Sequence, residues 1–538
     1  MLWWHNAAVY QVYPRSFMDG NGDSLGDLQG IKERLPYLVE LGVDALWLSP
    51  FYPSPQHDSG YDVANPRDVD PMFGTLADAQ SLIDAAHARN LRIIVDLVPN
   101  HFSIEHPWFQ EALAAGPGSA ERARFHFVDS VDNNPPNNWV SIFGGPAWTR
   151  TTNPDGSPGQ WYLHIFDSSQ PDLNWTNADI AADWITTLRV WLDMGVDGFR
   201  VDVALGMAKD MTYADLPDPI GLTQALRFDL DNSSPEAEQK RLMVENSAFM
   251  DRDEIQDIYA TWREVLNSYP GDRMAVSEAW VPAHRAKNYV SPTSLHQIFG
   301  FDFLVVPWNA EIMAQRITKA IAGVAAVNAP PTWALSNHDS PRVATRLGGG
   351  VVGLARARAL AVVAHALPGS IYVFQGEELG LENADLPDSA RQDPVFFRTN
   401  GEQLGRDGAR VPMPWSGSAP PYGFSTSAEP TWLPQPEDWA EMTVAVEQAD
   451  PASTWNLYRE LLHKRRSLRG ELTVSDSGSE SVMVFHRDNG VHVAINTGST
   501  DFPMHERFPG CEVTISSDMV TGGKNEFLPP DCAIWFRV

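Results

Sequence analysis

"VDALWLSPFYPSP", residues 43 to 55, is a near-continuous apolar run that ends in prolines. A strand with one wet face alternates apolar and polar residues. This one does not, so both of its faces are buried, as in a parallel sheet covered by helices. The chain on either side repeats the pattern. Upstream, "AVYQVYPRSF" (8–17) reads as a strand, and "GDLQGIKERLPYLVELG" (26–42) carries Leu28, Ile31, Leu35, Leu38 and Leu41 at helical spacing. Downstream, "TLADAQSLIDAAHARN" (75–90) opens on Thr75 as N-cap with Asp78 three residues on, and "LRIIVDLVPNH" (91–101) is another buried strand. Strand, helix, strand, helix, strand implies a parallel sheet with right-handed crossovers.

The rhythm breaks over residues 102–174, which are rich in Pro, Gly, Asn and Trp and lack a period. It resumes with the helix "ADIAADWITTLRVWLDMG" (178–195) and the strand "VDGFRVDV" (196–203). Further strands are expected at "MAVSEAW" (274–280), "HQIFGFDFLV" (296–305), "PTWALSNHD" (331–339) and "SIYVFQGEE" (370–378). Eight strand–helix units predict a closed (β/α)8 TIM barrel, α/β in class, with its site at the C-terminal strand ends. From about 470, "ELTVSDSGSESVMVFHRDNGVHVAINTG" turns to alternating β-structure and reads as a small β-sandwich. The expected division is a barrel over 1–101 and 175–465, an inserted loop-rich domain over 102–174, and a C-terminal β-domain over 466–538.

Composition excludes several classes. With 538 residues and 19 Trp the chain can bury a large core. A net charge of −30 argues against nucleic acid and anionic membranes as partners. No run of 18 apolar residues predicts a membrane span, and no leader pattern is evident, so a cytoplasmic protein is expected, a monomer or small homo-oligomer. Cys511 and Cys532 are expected as buried thiols rather than a disulfide framework.

Ionisable residues gather where the predicted strands end: Asp96 and His101, Arg200 and Asp202, Glu278, His338 and Asp339. Buried strands rarely carry such groups without partners, and four strand ends at one barrel mouth indicate an active site. Three carboxylates there, Asp202, Glu278 and Asp339, suit glycoside hydrolysis, which needs one ionised carboxylate and one carboxylic acid across the scissile bond. Arg200 would keep Asp202 ionised. No H-E-x-x-H motif supports a metallohydrolase.

A second cluster is "FMDGNGDSLGDLQGI" (17–31). Asp19, Asn21, Asp23 and Asp27 offer oxygen at relative positions 1, 3, 5 and 9, with the Leu25 carbonyl at 7, the spacing of a calcium loop. A solvated acidic turn is the other reading. Gly20, Gly22 and Gly26 miss the dinucleotide fingerprint by one residue, and the carboxylates would repel a pyrophosphate.

"DLVPNH" (96–101), "GFRVDV" (198–203), "VSEAW" (276–280) and "SNHD" (336–339) resemble, in order and spacing, the four signature regions of the α-amylase family of glycoside hydrolases. "QPDLNW" (170–175) and "GRDGARVPMPW" (405–415) resemble its oligo-1,6-glucosidase and α-glucosidase branch. The resemblance implies Asp202 as nucleophile, Glu278 as general acid/base and Asp339 as the stabiliser holding sugar hydroxyls. It implies Arg200, His101 and His338 around the attacked glucose, Asp58 and Tyr61 of "HDSGYD" at the pocket floor, Phe166 as an aromatic wall, and Arg410 as the partner of Asp58. It also implies a structural Ca2+ or Mg2+ on Asp19, Asn21, Asp23, Leu25 and Asp27, with no organic cofactor.

The expected activity is a retaining, exo-acting α-glucosidase on short α-glucosides, with transglucosylation open to the same intermediate. The rival is a glucosyl-transferring or isomerising enzyme of trehalose synthase or sucrose isomerase type; the arginine-rich isomerisation motif is not evident around "FGFDFL". One departure concerns Leu205: after "RVDV" the pattern leads to "AHG", and here it is "ALG". Val203, directly after Asp202, is expected not to point with it by strand alternation, yet to shape the pocket wall near the next sugar; the resemblance implies that Val at this place goes with α-1,6-acting members.

Overall fold

The computed structural model describes residues 2–129, 132–225, 235–518 and 526–538. Eight parallel strands form the central sheet: β1 (Ala8–Val12), β2 (Ala45–Leu48), β3 (Arg92–Leu97), then, after the inserted strands β4 (Phe127–Val128), β5 (Trp148–Thr152) and β6 (Pro158–Leu163), β7 (Gly198–Val201), β8 (Met274–Ser277), β9 (Gln297–Ile298), β10 (Thr332–Ala334) and β11 (Ser370–Phe374). Their order is β10-β11-β1-β2-β3-β7-β8-β9. Every residue of β1, β2, β7, β8 and β11 is buried, which is why these strands read as continuous apolar runs.

The ring is closed between β9 and β10 by a side chain. Thr332 Oγ1 donates to the Ile298 carbonyl at 2.6 Å and accepts the Gly300 amide at 3.0 Å. A Cβ at Gly300 would sit 2.4 Å from the Thr332 carbonyl oxygen, so glycine is required for the approach. Here the expected strand over 296–305 shrinks to two residues, and Phe301–Leu304 turn helical. Packing overrides the apolar pattern: Phe301 stacks on Trp280, and Phe303 meets Trp333 edge-on.

The leucine-rich segment after β1 divides into two helices, Leu28–Glu33 and Leu35–Leu41, with Pro36 in the first turn of the second. Proline has no amide to continue the first helix. The Thr75–Asp78 capping box forms as the sequence predicts, on the helix Leu76–His87.

Strands β4, β6 and β5 make a three-stranded antiparallel sheet beside the helix Pro107–Ala115. Near the C-terminus a single five-stranded antiparallel sheet forms from β12 (Leu472–Ser475), β13 (Val482–Arg487), β14 (His492–Asn496), β15 (Glu512–Ser516) and β16 (Cys532–Arg537). Its alternation presents Phe485, Val493 and Trp535 to the main core, with the Trp535 indole donating to the Val362 carbonyl at 2.7 Å. Val484, Ala494 and Phe536 face Phe502, Met504 and Leu528. Among the described residues the partner layers of the expected sandwich are thus a barrel helix and a loop segment, not a second sheet. Both cysteines are buried and unbridged.

Two adjacent glutamates follow β11 and are fully enclosed. Tyr10 and Tyr37 each donate to Glu378 Oε1 at 2.6 Å, and Tyr458 donates to Glu377 Oε1 at 3.1 Å. Burial pushes Glu377 from its ordinary value of 4.5 up to about 8. The folded state therefore holds a proton that the unfolded chain releases near 4.5, and stability falls as pH rises between those values. Glu377→Gln keeps the shape without the charge. We expect it to flatten the decline of Tm between pH 5 and 8, with a gain at pH 8 on the order of a few kcal/mol. An undiminished slope in a thermal melt series would show that Glu377 is not the titrating group.

Candidate active site

The barrel mouth is organised by one guanidinium. Arg200, at the end of β7, is 1% exposed. Its Nη1 lies 2.9 Å from Asp96 Oδ1 and 2.5 Å from Asp202 Oδ1, and its Nη2 lies 2.8 Å from Glu278 Oε2. Three strand ends, β3, β7 and β8, are thereby tied at one point. Burial raises the Asp202 carboxyl well above the usual carboxylate range; Arg200 opposes this, and Glu278, Asp96 and Asp339 add to it. Asp96 is likewise pushed up to about 6 by burial, against the pull of Arg200. One cation thus faces three carboxylates, and the group retains a proton to higher pH than isolated acids would.

Val203 is a finding that strand alternation did not give. The strand ends at Val201, and Val203 adopts φ +45°, a left-handed conformation rare for a β-branched residue. That turn aims its amide at Glu278 Oε2, 2.9 Å away. Its side chain lines the cavity, as expected of a wall residue.

A second chain of polar groups forms the floor. Gln11 Nε2 lies 2.7 Å from His338 Nδ1, and an amide nitrogen donates, so Nδ1 accepts and the proton of the neutral ring sits on Nε2. His338 Nε2 lies 2.5 Å from the Tyr61 hydroxyl, which donates to Asp96 Oδ2 at 3.0 Å. The Tyr61 and His338 rings stack at 12°. Burial holds His338 well below its ordinary value, consistent with the neutral ring. His101 is pushed down to about 4 by burial.

The far end corrects one expectation. Asp58 pairs with Arg406, not Arg410: Arg406 Nη2 is 2.6 Å from Asp58 Oδ1, its Nη1 is 3.1 Å from Asp339 Oδ1, and its Nε is 2.6 Å from Asp393 Oδ2. Arg410 lies behind this layer, fully buried, donating to the His338 carbonyl at 2.8 Å and to Asp339 Oδ1 at 2.9 Å. The two arginines flank the short turn Asp407–Ala409, which sends the first outward and the second into the barrel wall. Burial pushes Asp58 up to about 6, against Arg406 and Arg410. Burial would also raise Asp339, but His338, Arg406 and Arg410 outweigh it and hold that carboxyl below the usual range. Gln170, buried, donates to Asp58 Oδ2 at 3.0 Å and touches His101.

A cavity of about 560 Å³ opens over these groups, lined by Asp58, Tyr61, His101, Phe166, Asp202, Glu278, Asp339 and Arg406 among others. Arg200, His338 and Arg410 stand behind its wall. Phe166 meets His101 at 5.5 Å and Phe143 edge-on at 5.4 Å. Site residues not singled out from sequence are Arg406, Gln170 and Asp393. The first two lie inside the motifs "GRDGARVPMPW" and "QPDLNW"; nothing in the sequence marks Asp393.

The acidic loop lies away from this cavity. Asp19 accepts the amides of Asn21, Gly22 and Ser24, and Asp27 caps the next helix through the Gly30 amide at 2.6 Å. Among the described residues no three His, Cys, Asp or Glu side chains converge closely enough to hold an ion, and no lysine or arginine pairs with Asp19, Asp23 or Asp27. Burial raises Asp27, and Asp19 and Asp23 raise it further. The loop's charge is met by backbone amides, by the Ser425 hydroxyl on Asp19 and by the Asn21 side-chain amide on Asp23, with no cationic side chain among them. Hard oxygen donors with uncompensated charge fit Ca2+ or Mg2+ in chemistry.

No helix among the described residues is long and apolar enough to cross a membrane. Comparison with known proteins agrees with the geometry. Residues 11–472 match the model of the alpha amylase catalytic domain. The chain is 38% identical over 505 residues to a probable alpha-glucosidase of Rhizobium meliloti (strain 1021), covering 91% of this chain and 87% of that one. It is 34% identical over 579 residues to an oligo-1,6-glucosidase of Heyndrickxia coagulans, covering 99% of each. Among solved structures it resembles the alpha-glucosyl transfer enzyme XgtA, with a TM-score of 0.85 and 34% identity over 100% of this chain and 99% of that one. A trehalulose synthase, MutB, gives a TM-score of 0.86 at 29% identity over the full length of both. A barrel mouth where Asp202 and Glu278 share Arg200 and Asp339 meets Arg406 and Arg410, with a family match over most of the sequence, places this chain in the α-amylase family of glycoside hydrolases.

Proposed function

We infer that the protein is a retaining, exo-acting α-glucosidase that releases glucose from the non-reducing end of short α-glucosides. The observation that carries this is the cavity's closed end: Asp58 and Arg406 seal it behind the space in front of Asp202 and Glu278. On this reading one sugar occupies that end and a polymer does not thread past it.

The chemistry follows from the positions. Asp202 attacks the anomeric carbon while Glu278 protonates the leaving oxygen; water activated by Glu278 then releases glucose with retained configuration. Arg200 touches both carboxyls, which sets them side by side, as the ~5–5.5 Å separation of retaining enzymes requires. The Val203 amide fixes Glu278 Oε2. Asp339 and Arg406 sit where sugar hydroxyls arrive. The oligo-1,6-glucosidases among the relatives and Val203 favour cleavage of isomaltose as well as maltose.

The test is product analysis on maltose, isomaltose, trehalose, sucrose and starch. We expect α-glucose as the first anomer by NMR, and starch as a poor substrate beside disaccharides. β-Glucose, or dominant internal cleavage of starch, would refute the mechanism or the pocket respectively. Accumulation of an isomeric disaccharide from sucrose would favour the isomerising relatives instead.

The reading includes a structural Ca2+ or Mg2+ held by Asp19, Asn21, Asp23, Asp27 and the Leu25 carbonyl, clamping the loop against Ser425 and Glu429. An ion bound only by the native loop stabilises it by mass action, about 2.7 kcal/mol at a hundredfold excess over Kd. EDTA should therefore lower Tm, and Ca2+ should restore it. An unchanged melt and no metal in the purified protein would return the loop to a self-bonded acidic turn. A cytoplasmic location belongs to the same proposal, and cell fractionation checks it.

A further inference from the structure

Lys209, in the loop after β7, takes no part in the chemistry above, yet its side chain is fully enclosed. The ammonium lies 2.9 Å from Asp172 Oδ2 of the inserted domain and 2.8 Å from Asn100 Oδ1, and it donates to the Gly206 carbonyl. Burial lowers Lys209, and Asp172 opposes the fall. An ammonium has three hydrogens and no lone pair, so each of these neighbours must present an acceptor. That fixes which way round the Asn100 amide sits. With its oxygen on Lys209, its nitrogen is the atom left for His101 Nδ1, 3.1 Å away. An amide nitrogen donates, so Nδ1 accepts and the proton of the neutral ring is on Nε2. Nε2 donates to the Tyr61 carbonyl at 3.1 Å. Gln170 Nε2, 3.1 Å from the same nitrogen, is the opposing contact, and it directs a hydrogen to Asp58 Oδ2. The other tautomer would set a hydrogen against Asn100 Nδ2 and a lone pair against the Tyr61 carbonyl, two conflicts in place of one. The charged groups about the ring are Lys209, Asp172 and, beyond Gln170, Asp58. Burial is the main cause of the fall of His101 to about 4; Asp172 raises it and Lys209 lowers it.

We propose that Lys209 is a positioning residue: through the orientation of Asn100 it holds His101 neutral with the proton on Nε2, set to donate to a hydroxyl of the glucose in front of Asp202. The proposal rests on the α-glucosidase reading only for the identity of that hydroxyl. His101 lines the cavity, and Lys209 acts on it from behind the wall.

Two variants break the chain at different links. Asn100→Asp keeps the shape and the acceptor on Lys209 but turns a second oxygen to His101 Nδ1. We expect the proton on Nδ1 and, with a carboxylate as neighbour, a His101 titration about two pH units above that of the wild type. Lys209→Met combined with Asp172→Asn removes both charges together, so no enclosed carboxylate is left alone, and frees Asn100 to turn; both tautomers should then appear. The readout is the pair of imidazole nitrogen resonances of His101 in the free, nitrogen-15-histidine-labelled protein, assigned by their loss in His101→Gln and followed against pH. At neutral pH kcat/KM for maltose should fall about tenfold or more in both variants. A lysine with a structural role alone would lower Tm and leave tautomer and titration as in the wild type. A proton on Nδ1 in the wild type, a proton still on Nε2 in either folded variant, or undiminished kcat/KM after the tautomer has moved would overturn the proposal. A tautomer that moves as expected in a protein that hydrolyses no α-glucoside would leave the Lys209–Asn100–His101 link standing and overturn the α-glucosidase reading.

Discussion

Replacing Asp202 by Asn is expected to lower kcat by about 10⁴-fold or more, because the covalent route loses its nucleophile. The fold should survive. Asp202 is a buried carboxyl that shares Arg200 with Asp96 and Glu278 and feels the charge of Asp339 as well. Asparagine keeps the shape and relieves one charge, so Tm should hold or rise. Glu278→Gln should cut turnover of disaccharides by about 10²–10⁴-fold, the usual worth of a general acid/base. An aryl α-glucoside with a good leaving group needs less protonation, so its first step should suffer least. The alkaline limb of kcat/KM, set by loss of the shared proton, should move or vanish for that substrate. Turnover like the wild type in either variant would remove that residue from the chemistry.

The second large effect is expected at Arg406. It holds Asp58, Asp339 and Asp393 at once, and Asp393 is drawn down to about 2 by Arg406 and Arg410 against the effect of its burial. Arg406→Ala leaves the enclosed Asp58 and Asp393 carboxylates short of a partner and takes one of two arginines from Asp339, and removing one member of a buried pair costs about 3–5 kcal/mol. We expect a fall of about 10²–10³-fold in kcat/KM for maltose, with a lower Tm. Because the same change opens the closed end of the cavity, activity on longer glucans should fall less than activity on maltose. Arg410→Ala should act differently: it removes a wall support beneath Asp339, so the loss should appear in Tm before it appears in chain-length preference. If Arg410→Ala opens the pocket and Arg406→Ala does not, the pairing described here is wrong.

The sequence by itself determined the barrel and the carboxylates. Strands buried on both faces must be apolar throughout, so an ionisable residue at the end of such a run stands out, as Asp96, Asp202 and Glu278 do. Helix starts were legible for a similar reason: the Thr75–Asp78 box is a local contact between residues three apart. What only the tertiary structure decided depends on direction and on distant partners. Arg406 and Arg410 share one motif, and which of them meets Asp58, 348 residues away, rests on a short turn whose orientation no local pattern encodes. Strand β9 was cut short by rings of Trp280 and Trp333 that arrive from other strands. Val203 left the alternation because the strand ended two residues earlier, and its strained φ is held by the Glu278 carboxylate and the packing of Gly206. Residue type and spacing fix what a segment can bury; which way a side chain faces, once the strand or turn has ended, is settled by the groups that the rest of the chain brings to meet it.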